Sequence, residues 1–204
     1  MTILYVETNF LMSIATGRDL EAHVLSESVN PRFRLVIPGV CYLEAVSTLE
    51  LERKHTKQFV QGLKQRIGQS RRDLRSAIAR VACDQLEQLS LTIRDQIEET
   101  ESRLLRAIVA LSEKAEAIEA RPAMIQDGVN KRIIESDLAD NLILHSIAHH
   151  ARENSAEPKA FLSGNTKDFG KDAVQALLRG AGVGKFFTEA RSFLDWIHSQ
   201  SSPD

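Results

Sequence analysis

The sequence predicts an α/β domain with a parallel β-sheet and a long inserted helical segment. Four short apolar runs are typical of buried strands, and a helix-like segment follows each of them. Strands that are continuously apolar, rather than alternating, indicate a parallel sheet covered on both faces. The runs are Ile3–Val6, Leu35–Ile37, Ala160–Leu162 and Lys185–Phe187. Alternation of strands and helices along a chain is the pattern of an α/β fold.

The first two strands are followed by segments with helical spacing of apolar residues. After the first strand, Phe10–Ala15 and Leu20–Leu25 are separated by Gly17, which indicates a break between two helical pieces. After the second strand, a Pro-Gly pair makes a bend, and a helix is predicted to begin at Val40.

The last third of the chain continues the same alternation. A helix is predicted over Leu138–Arg152, before the third strand. That strand leads into the loop Ser163–Gly170 and then into a short helix, Ala173–Leu178. After the fourth strand, Thr188 is the predicted N-cap of an amphipathic closing helix.

The middle of the chain predicts long helices. No proline occurs between Val40 and Ala120, and apolar residues recur there at spacings of three and four. They include Leu74, Ile78, Val81, Leu104, Ile108, Leu111, Ala115 and Ile118. Ser70 with Asp73 resembles a capping box, so one helix ends near Gly68 and another runs to Ala120. The second helix would be about 75 Å long, so we expect it to be broken, folded into a hairpin or paired with another chain.

This helical block is larger than a crossover helix requires. Pro122 and Gly128 are expected to end it. We therefore interpret it as an insertion over about residues 52–127 within a single domain that spans residues 1–204.

Bulk properties narrow the class of protein. A chain of 204 residues fits one domain and can bury a substantial core. Cys41 and Cys83 lie far apart in no metal-ligand spacing, which is typical of reduced thiols. With no apolar run of membrane-spanning length and no signal-peptide pattern after Met1, we expect a cytoplasmic protein. The formal net charge of −2 argues against non-specific coating of nucleic acid but allows a local basic patch.

Acidic and amide side chains fall where predicted strands end or helices begin. They are Glu7, Glu44, Asp137, Asp140, Asn165 and Asp168. The loops at the carboxyl ends of parallel strands meet in one crevice of an open sheet. Several oxygen ligands brought together there would suit a hard divalent cation, Mg²⁺ or Mn²⁺.

Each of these side chains also has a purely structural explanation. Asp140 has the strongest indication of function, because its helical neighbours are apolar and an unpaired carboxylate there would be costly. Asp137 can instead interact with the helix dipole, and Glu44 can be an ordinary solvated glutamate. Asp168 can cap a helix, and Asn165 can form an Asx turn.

Two further groups of charged or titratable residues are ambiguous. His145 and His149 are spaced as metal ligands on a helix, but with His150 they fit better as dipole-stabilising residues near its end. A cationic run opposed only by Asp73 is either a phosphate contact or a solvated helix face. It comprises Lys64, Arg66, Arg71, Arg72, Arg75 and Arg80.

Five motifs in order resemble those of the PIN-domain (PIN-like) nucleases. They are VETN, IPGVCYLEA, DLADNLILHSIAHHA, FLSGNTKDF and FFTEARSFLDWI. The matches cover roughly residues 2–50 and 133–198, and helical insertions like the intervening block occur in larger subfamilies. The resemblance implies a Rossmann-like parallel sheet of PIN type. It also implies an acidic crevice that binds Mg²⁺ or Mn²⁺ and hydrolyses phosphodiester bonds, usually in RNA.

The resemblance also implies roles for individual residues. The catalytic and metal-binding acids would be Glu7, Glu44, Asp140 and Asp168, with Asn165 as a further metal ligand. Supporting roles would fall to Thr8, Asn9, Asp137 and Ser163. Glu7 replaces the usual aspartate, and Asn165 stands where an acid is common.

Two functions are open on this evidence. The leading hypothesis is a metal-dependent endoribonuclease, of which a toxin or a stress or defence nuclease is a subtype. Arg71, Arg72, Arg75 and Arg80 would position the RNA strand. The alternative is a catalytically weakened PIN-like scaffold that binds nucleic acid or protein through its long helices. Expected partners are RNA, an antitoxin or other protein, or a second copy of the chain, and no membrane.

Overall fold

The computed structural model describes residues 1–27, 30–73, 75–135 and 137–200. The chain divides into two compact units. One comprises Met1–Ala45 with Leu104–Asp204, and the other comprises Val46–Arg103. The first unit contains the sheet, and the second is entirely helical apart from one turn. We call them the sheet unit and the helical unit.

The sheet unit is built on five parallel strands in the order β3-β2-β1-β4-β5. The strands are β1 (Thr2–Val6), β2 (Phe33–Pro38), β3 (Glu116–Ile118), β4 (Lys159–Leu162) and β5 (Lys185–Phe187). Every residue of the central strand β1 is buried, and Leu4 pairs with Leu35 on one side and Ala160 on the other. The continuous apolar runs of the sequence therefore mark strands covered on both faces. The predicted α/β class with a parallel sheet is confirmed.

Seven helices of the sheet unit connect and cover these strands in the described part of the chain. They are α1 (Thr8–Thr16), α2 (Leu20–Glu27), α5 (Pro122–Asn130), α6 (Leu138–Glu153), α7 (Thr166–Phe169), α8 (Asp172–Gly180) and α9 (Ala190–Ser199). The predicted break between the first two occurs at Gly17, which adopts the left-handed conformation (φ 67°) that ends α1. No helix within the described residues has both the length and the hydrophobicity needed to cross a membrane.

The helical unit consists of parts of two long helices, α3 (Val40–Ser70) and α4 (Ala77–Lys114). Inside this unit the helices run antiparallel, because Arg53 pairs with Glu101 while Cys83 approaches the carbonyl of Ile67. The second predicted helix is neither broken nor folded back on itself, because α4 is continuous over 38 residues, and the hairpin is formed by α3 and α4 together. The bounds of the proposed insertion stay a prediction.

The turn between α3 and α4 corrects the predicted capping box. Ser70 is the last residue of α3 and does not cap α4. The Asp73 carboxylate accepts hydrogen bonds from the amides of Arg75 and Ser76, and the Ser76 hydroxyl accepts one from Ala79. The cap therefore lies six residues later than predicted, after a turn that the sequence pattern did not resolve. Leu74 lies outside the described residues.

The end of α4 corrects a second prediction. The helix stops at Lys114, and Glu116–Ile118 forms edge strand β3 instead of continuing the helix to Ala120. Ile118 keeps the helical spacing of the apolar residues by coincidence, while its backbone pairs with Pro38 of β2. A strand of three residues is too short to show an alternating pattern of its own.

Two helix starts also differ from expectation. Pro122, expected to end a helix, is the first residue of α5, where its missing amide hydrogen is tolerated. Glu189, not Thr188, occupies the N-cap position of α9, and its side chain makes no capping bond. Both errors concern boundaries, and the presence of α9 is as predicted.

Candidate active site at the carboxyl ends of the strands

Glu7 lies directly after β1 and is both a helix cap and a buried acid. Its side chain accepts a hydrogen bond of 2.7 Å from the amide of Asn9, which caps α1. Its other oxygen accepts one of 2.9 Å from the Ser163 hydroxyl at the end of β4. Only 2% of the residue is exposed. Glu7 can therefore cap α1 and belong to a functional site at the same time.

Glu44, on the first turns of α3, is held at the same end of the sheet by Thr8. The Thr8 hydroxyl donates a short hydrogen bond to the Glu44 carboxylate. Thr8 itself is buried, because it opens α1 immediately after Glu7. Thr8, the residue that follows Glu7, thus supplies the hydroxyl that binds the Glu44 carboxylate.

Asp137 and Asp140 open α6 in different roles. Asp137 is the N-cap, and its carboxylate accepts hydrogen bonds from the amides of Ala139 (2.7 Å) and Asp140 (3.3 Å). Asp140 is buried in the first turn of the helix. The structural explanation of Asp137 is thus confirmed, while Asp140 keeps a carboxylate available to the site.

The loop after β4 joins Glu7 to Asp140 through neutral donors. The Ser163 hydroxyl, which donates to Glu7, also accepts from the Asn165 amide at 3.0 Å. The Asn165 side-chain nitrogen donates to Asp140 at 3.2 Å, and its oxygen accepts from the Asp168 amide at 3.2 Å. Asn165 therefore bridges two of the predicted acids in addition to forming the turn expected of it.

Two residues that support the site were not predicted from the sequence. Lys171 pairs with the Asp168 carboxylate at 2.9 Å, and the only signal for it was its three-residue spacing from Asp168. Asn141 is fully buried and bonds to the backbone of Ile133, Ile134 and Asp137, which anchors the segment before α6. The neighbourhood of Asn141 depends on tertiary folding, so its role has no local signature.

The acids of the site repel one another. Burial and the charges of Asp140 and Glu44 raise the pKa of Glu7 to about 7, against the hydrogen bonds that stabilise its charge. Burial, together with Asp137, Glu44 and Asp168, raises the pKa of Asp140 to about 7. Burial also raises the pKa of Glu44, whereas Lys171 holds the pKa of Asp168 below its usual range. Three carboxyl groups thus share a region that disfavours their negative charge.

The carboxylate oxygens of this region are chemically suited to bind a hard divalent cation. Carboxylate oxygens are the ligands that Mg²⁺ and Mn²⁺ prefer, and a cation would offset the burial and the mutual repulsion that raise these pKa values. Among the described residues, however, no three His, Cys, Asp or Glu side chains lie close enough to hold one ion as they stand. The side chains therefore supply the right atoms without forming a closed ligand set.

The three histidines of α6 are bonded outside this acidic region. His149 contacts Asp127 at 2.9 Å, and His145 contacts the carbonyl of Lys131 at 3.0 Å. His150 lies between the Tyr5 hydroxyl and a carboxylate oxygen of β3, each 2.9 Å away. These contacts give each histidine a structural partner, in agreement with the preference for a structural role.

The predicted phosphate-contacting arginines lie in the helical unit. Arg71, directly after α3, forms an ion pair with Glu87 of α4. Arg72 and Arg75 are exposed. The backbone amide of Arg80 belongs to the first turn of α4. Nothing in these contacts identifies a ligand, so the assignment of Arg71, Arg72, Arg75 and Arg80 to nucleic acid stays a prediction.

An open parallel sheet with acidic residues gathered at its carboxyl edge defines an α/β domain of the kind that carries metal-dependent chemistry. The family model of the PIN domain matches residues 4–169. The chain therefore belongs to the PIN domain family, whose members are generally nucleases and typically depend on a divalent metal. Comparisons with curated proteins and with solved structures gave no match.

Proposed function

We propose that the protein is an endoribonuclease that hydrolyses phosphodiester bonds in RNA with Mg²⁺ or Mn²⁺. The observation that carries the proposal is the junction of Glu7, Asp140 and the β4 loop through Ser163 and Asn165. This junction holds acids from separate elements at one edge of the sheet. The family, which is generally one of nucleases, supports the reaction class.

The side chains have distinct tasks in this proposal. Glu7, Glu44 and Asp140 would hold the ion, and Asp168 and Asn165 would complete its surroundings. A bound divalent ion supplies an activated water and neutralises charge on the phosphate. Thr8 and Ser163 orient two carboxylates, because each donates its hydroxyl proton to one of them. Asn165 holds Asp140 against rotation through the amide hydrogen bond.

The proposal is tested by incubating the purified chain with labelled single-stranded RNA and DNA in Mn²⁺. We expect cleavage of RNA, and we expect Asp140→Asn and Glu44→Gln to reduce the rate at least about 100-fold. Asp195→Asn is the matched control, because its side chain is exposed at the far end of the sequence and outside the site. Equal cleavage by Asp140→Asn and the unmodified chain would reject the assignment.

A second function is favoured by one specific observation, the open arrangement of the acids. In that case the chain is a non-catalytic scaffold whose long helices bind a protein partner or a second copy. Exposed apolar side chains on these helices support such contacts, among them Leu51, Phe59, Leu89 and Leu91. For an active enzyme, the corresponding proposal is that the protein is a toxin and that a small antitoxin is the partner that neutralises it.

Thermal unfolding with increasing Mn²⁺ separates the nuclease from the scaffold. A protein that binds the ion only when folded gains stability with ligand concentration. We expect the unfolding midpoint to rise, and the double variant Glu44→Gln, Asp140→Asn to abolish the rise. An unchanged midpoint in the unmodified chain, together with a dimer in light scattering, would favour the scaffold.

A further inference from the structure

A cationic cavity lies between α3 and α4 inside the helical unit. Its volume is about 580 Å³. Four cations and one acid line it, namely Arg53, Lys57, Lys64, Arg94 and Glu98. A chain with a formal net charge of −2 thus concentrates positive charge in one concave region.

Most of this positive charge is uncompensated. Within the described residues, Lys57, Lys64 and Arg94 have no ion-pair partner within 4.0 Å. Arg53 pairs with Glu101 at 2.8 Å, but both side chains are partly exposed. An ion pair at such exposure is worth at most about 1 kcal/mol and can exchange for another anion. The cavity therefore favours a negatively charged ligand.

The shape of the cationic region favours a polymer over a small anion. Arg53, Lys57 and Lys64 are spaced by four and seven residues, so they lie near one face of α3. They span about 16 Å along the helix at 1.5 Å per residue. Arg53 and Lys57 also line a second depression of about 380 Å³, which adds one cation, Lys54, and one acid, Glu50. One phosphate cannot contact a row of this length, whereas a chain of phosphates can.

The remaining lining is suited to a nucleotide chain. Thr56 and Gln61 supply uncharged hydrogen-bonding groups, and Val60 and Ile97 supply apolar surface against which a base can rest. Among the described residues that line the cavity, none has an aromatic side chain. Without aromatic stacking, we expect affinity to come from the backbone phosphates, with weak sequence preference and strong salt dependence.

We propose that this cavity binds the phosphate backbone of single-stranded RNA and so forms a substrate-binding site on the helical unit. The choice of RNA rests on the proposed function. Lys64 of the predicted cationic run lines the cavity, whereas Arg71, Arg72, Arg75 and Arg80 do not. The cavity lies on the walls of the hairpin, between the two helices.

The test measures binding of a fluorescent single-stranded RNA of about 20 nucleotides by anisotropy, in EDTA and in the Asp140→Asn background, so that cleavage plays no part. The double variant Lys57→Gln, Arg94→Gln should weaken binding about tenfold. It should also reduce the slope of log affinity against log salt by about 1.4, for two lost phosphate contacts. The double variant Arg152→Gln, Lys185→Gln removes two exposed cations of the sheet unit and should bind as before.

A folding check and two competing outcomes complete the test. Far-UV circular dichroism of Lys57→Gln, Arg94→Gln should match that of the unmodified chain, which excludes loss of the hairpin as the cause. Lys57→Arg, Arg94→Lys should retain binding, because both positive charges are kept. Unchanged affinity and salt slope in Lys57→Gln, Arg94→Gln would overturn the inference, even where the unmodified chain cleaves RNA. Tighter binding of poly-glutamate than of RNA would overturn it in favour of an acidic protein partner. Cavity-dependent RNA binding without any cleavage would support the inference and reject the nuclease proposal alone.

Discussion

Replacing Glu7 with glutamine isolates the free energy of holding a negative charge in the acidic site. Glutamine has nearly the same shape and can still accept the hydrogen bond from the amide of Asn9. The Ser163 hydroxyl can rotate to accept from the new amide nitrogen. The substitution therefore removes the charge while leaving the α1 cap and the packing of a 2% exposed side chain in place.

The size of the effect follows from the pKa of Glu7, which is raised from 4.5 to about 7. Each pKa unit corresponds to 1.36 kcal/mol, so the ionised carboxylate destabilises the fold by about 3 kcal/mol above pH 7. Because the folded state binds more protons than the unfolded state between pH 4.5 and 7, stability falls as the pH rises through that window. At pH 5 less than about 1 kcal/mol of this loss is present.

Urea unfolding in EDTA at pH 5 and pH 8 measures the prediction. The stability of Glu7→Gln relative to the unmodified chain should increase by about 2 kcal/mol between these pH values. In a thermal melt this corresponds to roughly 4–8 °C for a chain of this size. Comparing the two chains at each pH cancels other titrating groups, such as His150, whose pKa is lowered by burial and by Arg34. Asp195→Asn, at an exposed position, should show no such trend.

Two outcomes would refute this account of Glu7. The relative stability of Glu7→Gln could stay constant from pH 5 to pH 8, which would mean that folding does not raise the pKa of Glu7. It could instead decrease with pH, which would mean that an unrecognised cation stabilises the charged form. Added Mn²⁺ provides an internal check, because it should stabilise the unmodified chain at pH 8 more than Glu7→Gln.

Further predictions concern the glycines and the β4 loop. Gly62→Ala should stabilise the helical unit by about 0.5–1 kcal/mol in urea unfolding, because a Cβ at this helical position meets no atom within 4 Å. Gly128→Ala should instead destabilise the sheet unit by about 1–3 kcal/mol, since its Cβ would lie 2.8 Å from a leucine side chain of α6. Ser163→Ala should cost about 1–3 kcal/mol and more at pH 8 than at pH 5, because it removes a hydrogen bond that lowers the pKa of Glu7. Equal losses at both pH values would show that Ser163 acts by packing alone.

The strands and the acids were predictable because both depend on short-range patterns with a fixed geometric consequence. A continuous apolar run such as Ile3–Val6 indicates a strand buried on both faces, and parallel strands bring their carboxyl ends to one edge. Glu7 follows from that rule once the sheet is assumed, whereas Asp140 was predicted from its apolar neighbours at the start of a helix. The break at Gly17 was equally local, since glycine readily adopts the left-handed conformation that ends α1.

The features that the sequence did not reveal depend on contacts between distant segments. Edge strand β3 exists because Ile118 can pair with Pro38 about 80 residues earlier, and its own three residues have no distinguishing pattern. The cationic cavity draws on α3 and α4, and Arg94 becomes a neighbour of Lys57 only when the hairpin closes.

Glu7 and Asn165 are the two departures from the usual family pattern, and both are physically related to the charge of the site. Glu7 is one methylene longer than an aspartate, and its two oxygens accept from the Asn9 amide and from the Ser163 hydroxyl. An acid at position 165 would add a further charge beside Asp140, whose pKa is already raised to about 7 by burial and by neighbouring acids. Asn165 instead donates to Asp140 and accepts from the Asp168 backbone, so it joins two acids without repelling either. The neutral residues Thr8, Ser163 and Asn165 thereby hold the carboxylates together, and the negative charge left at the site is what a divalent cation would neutralise.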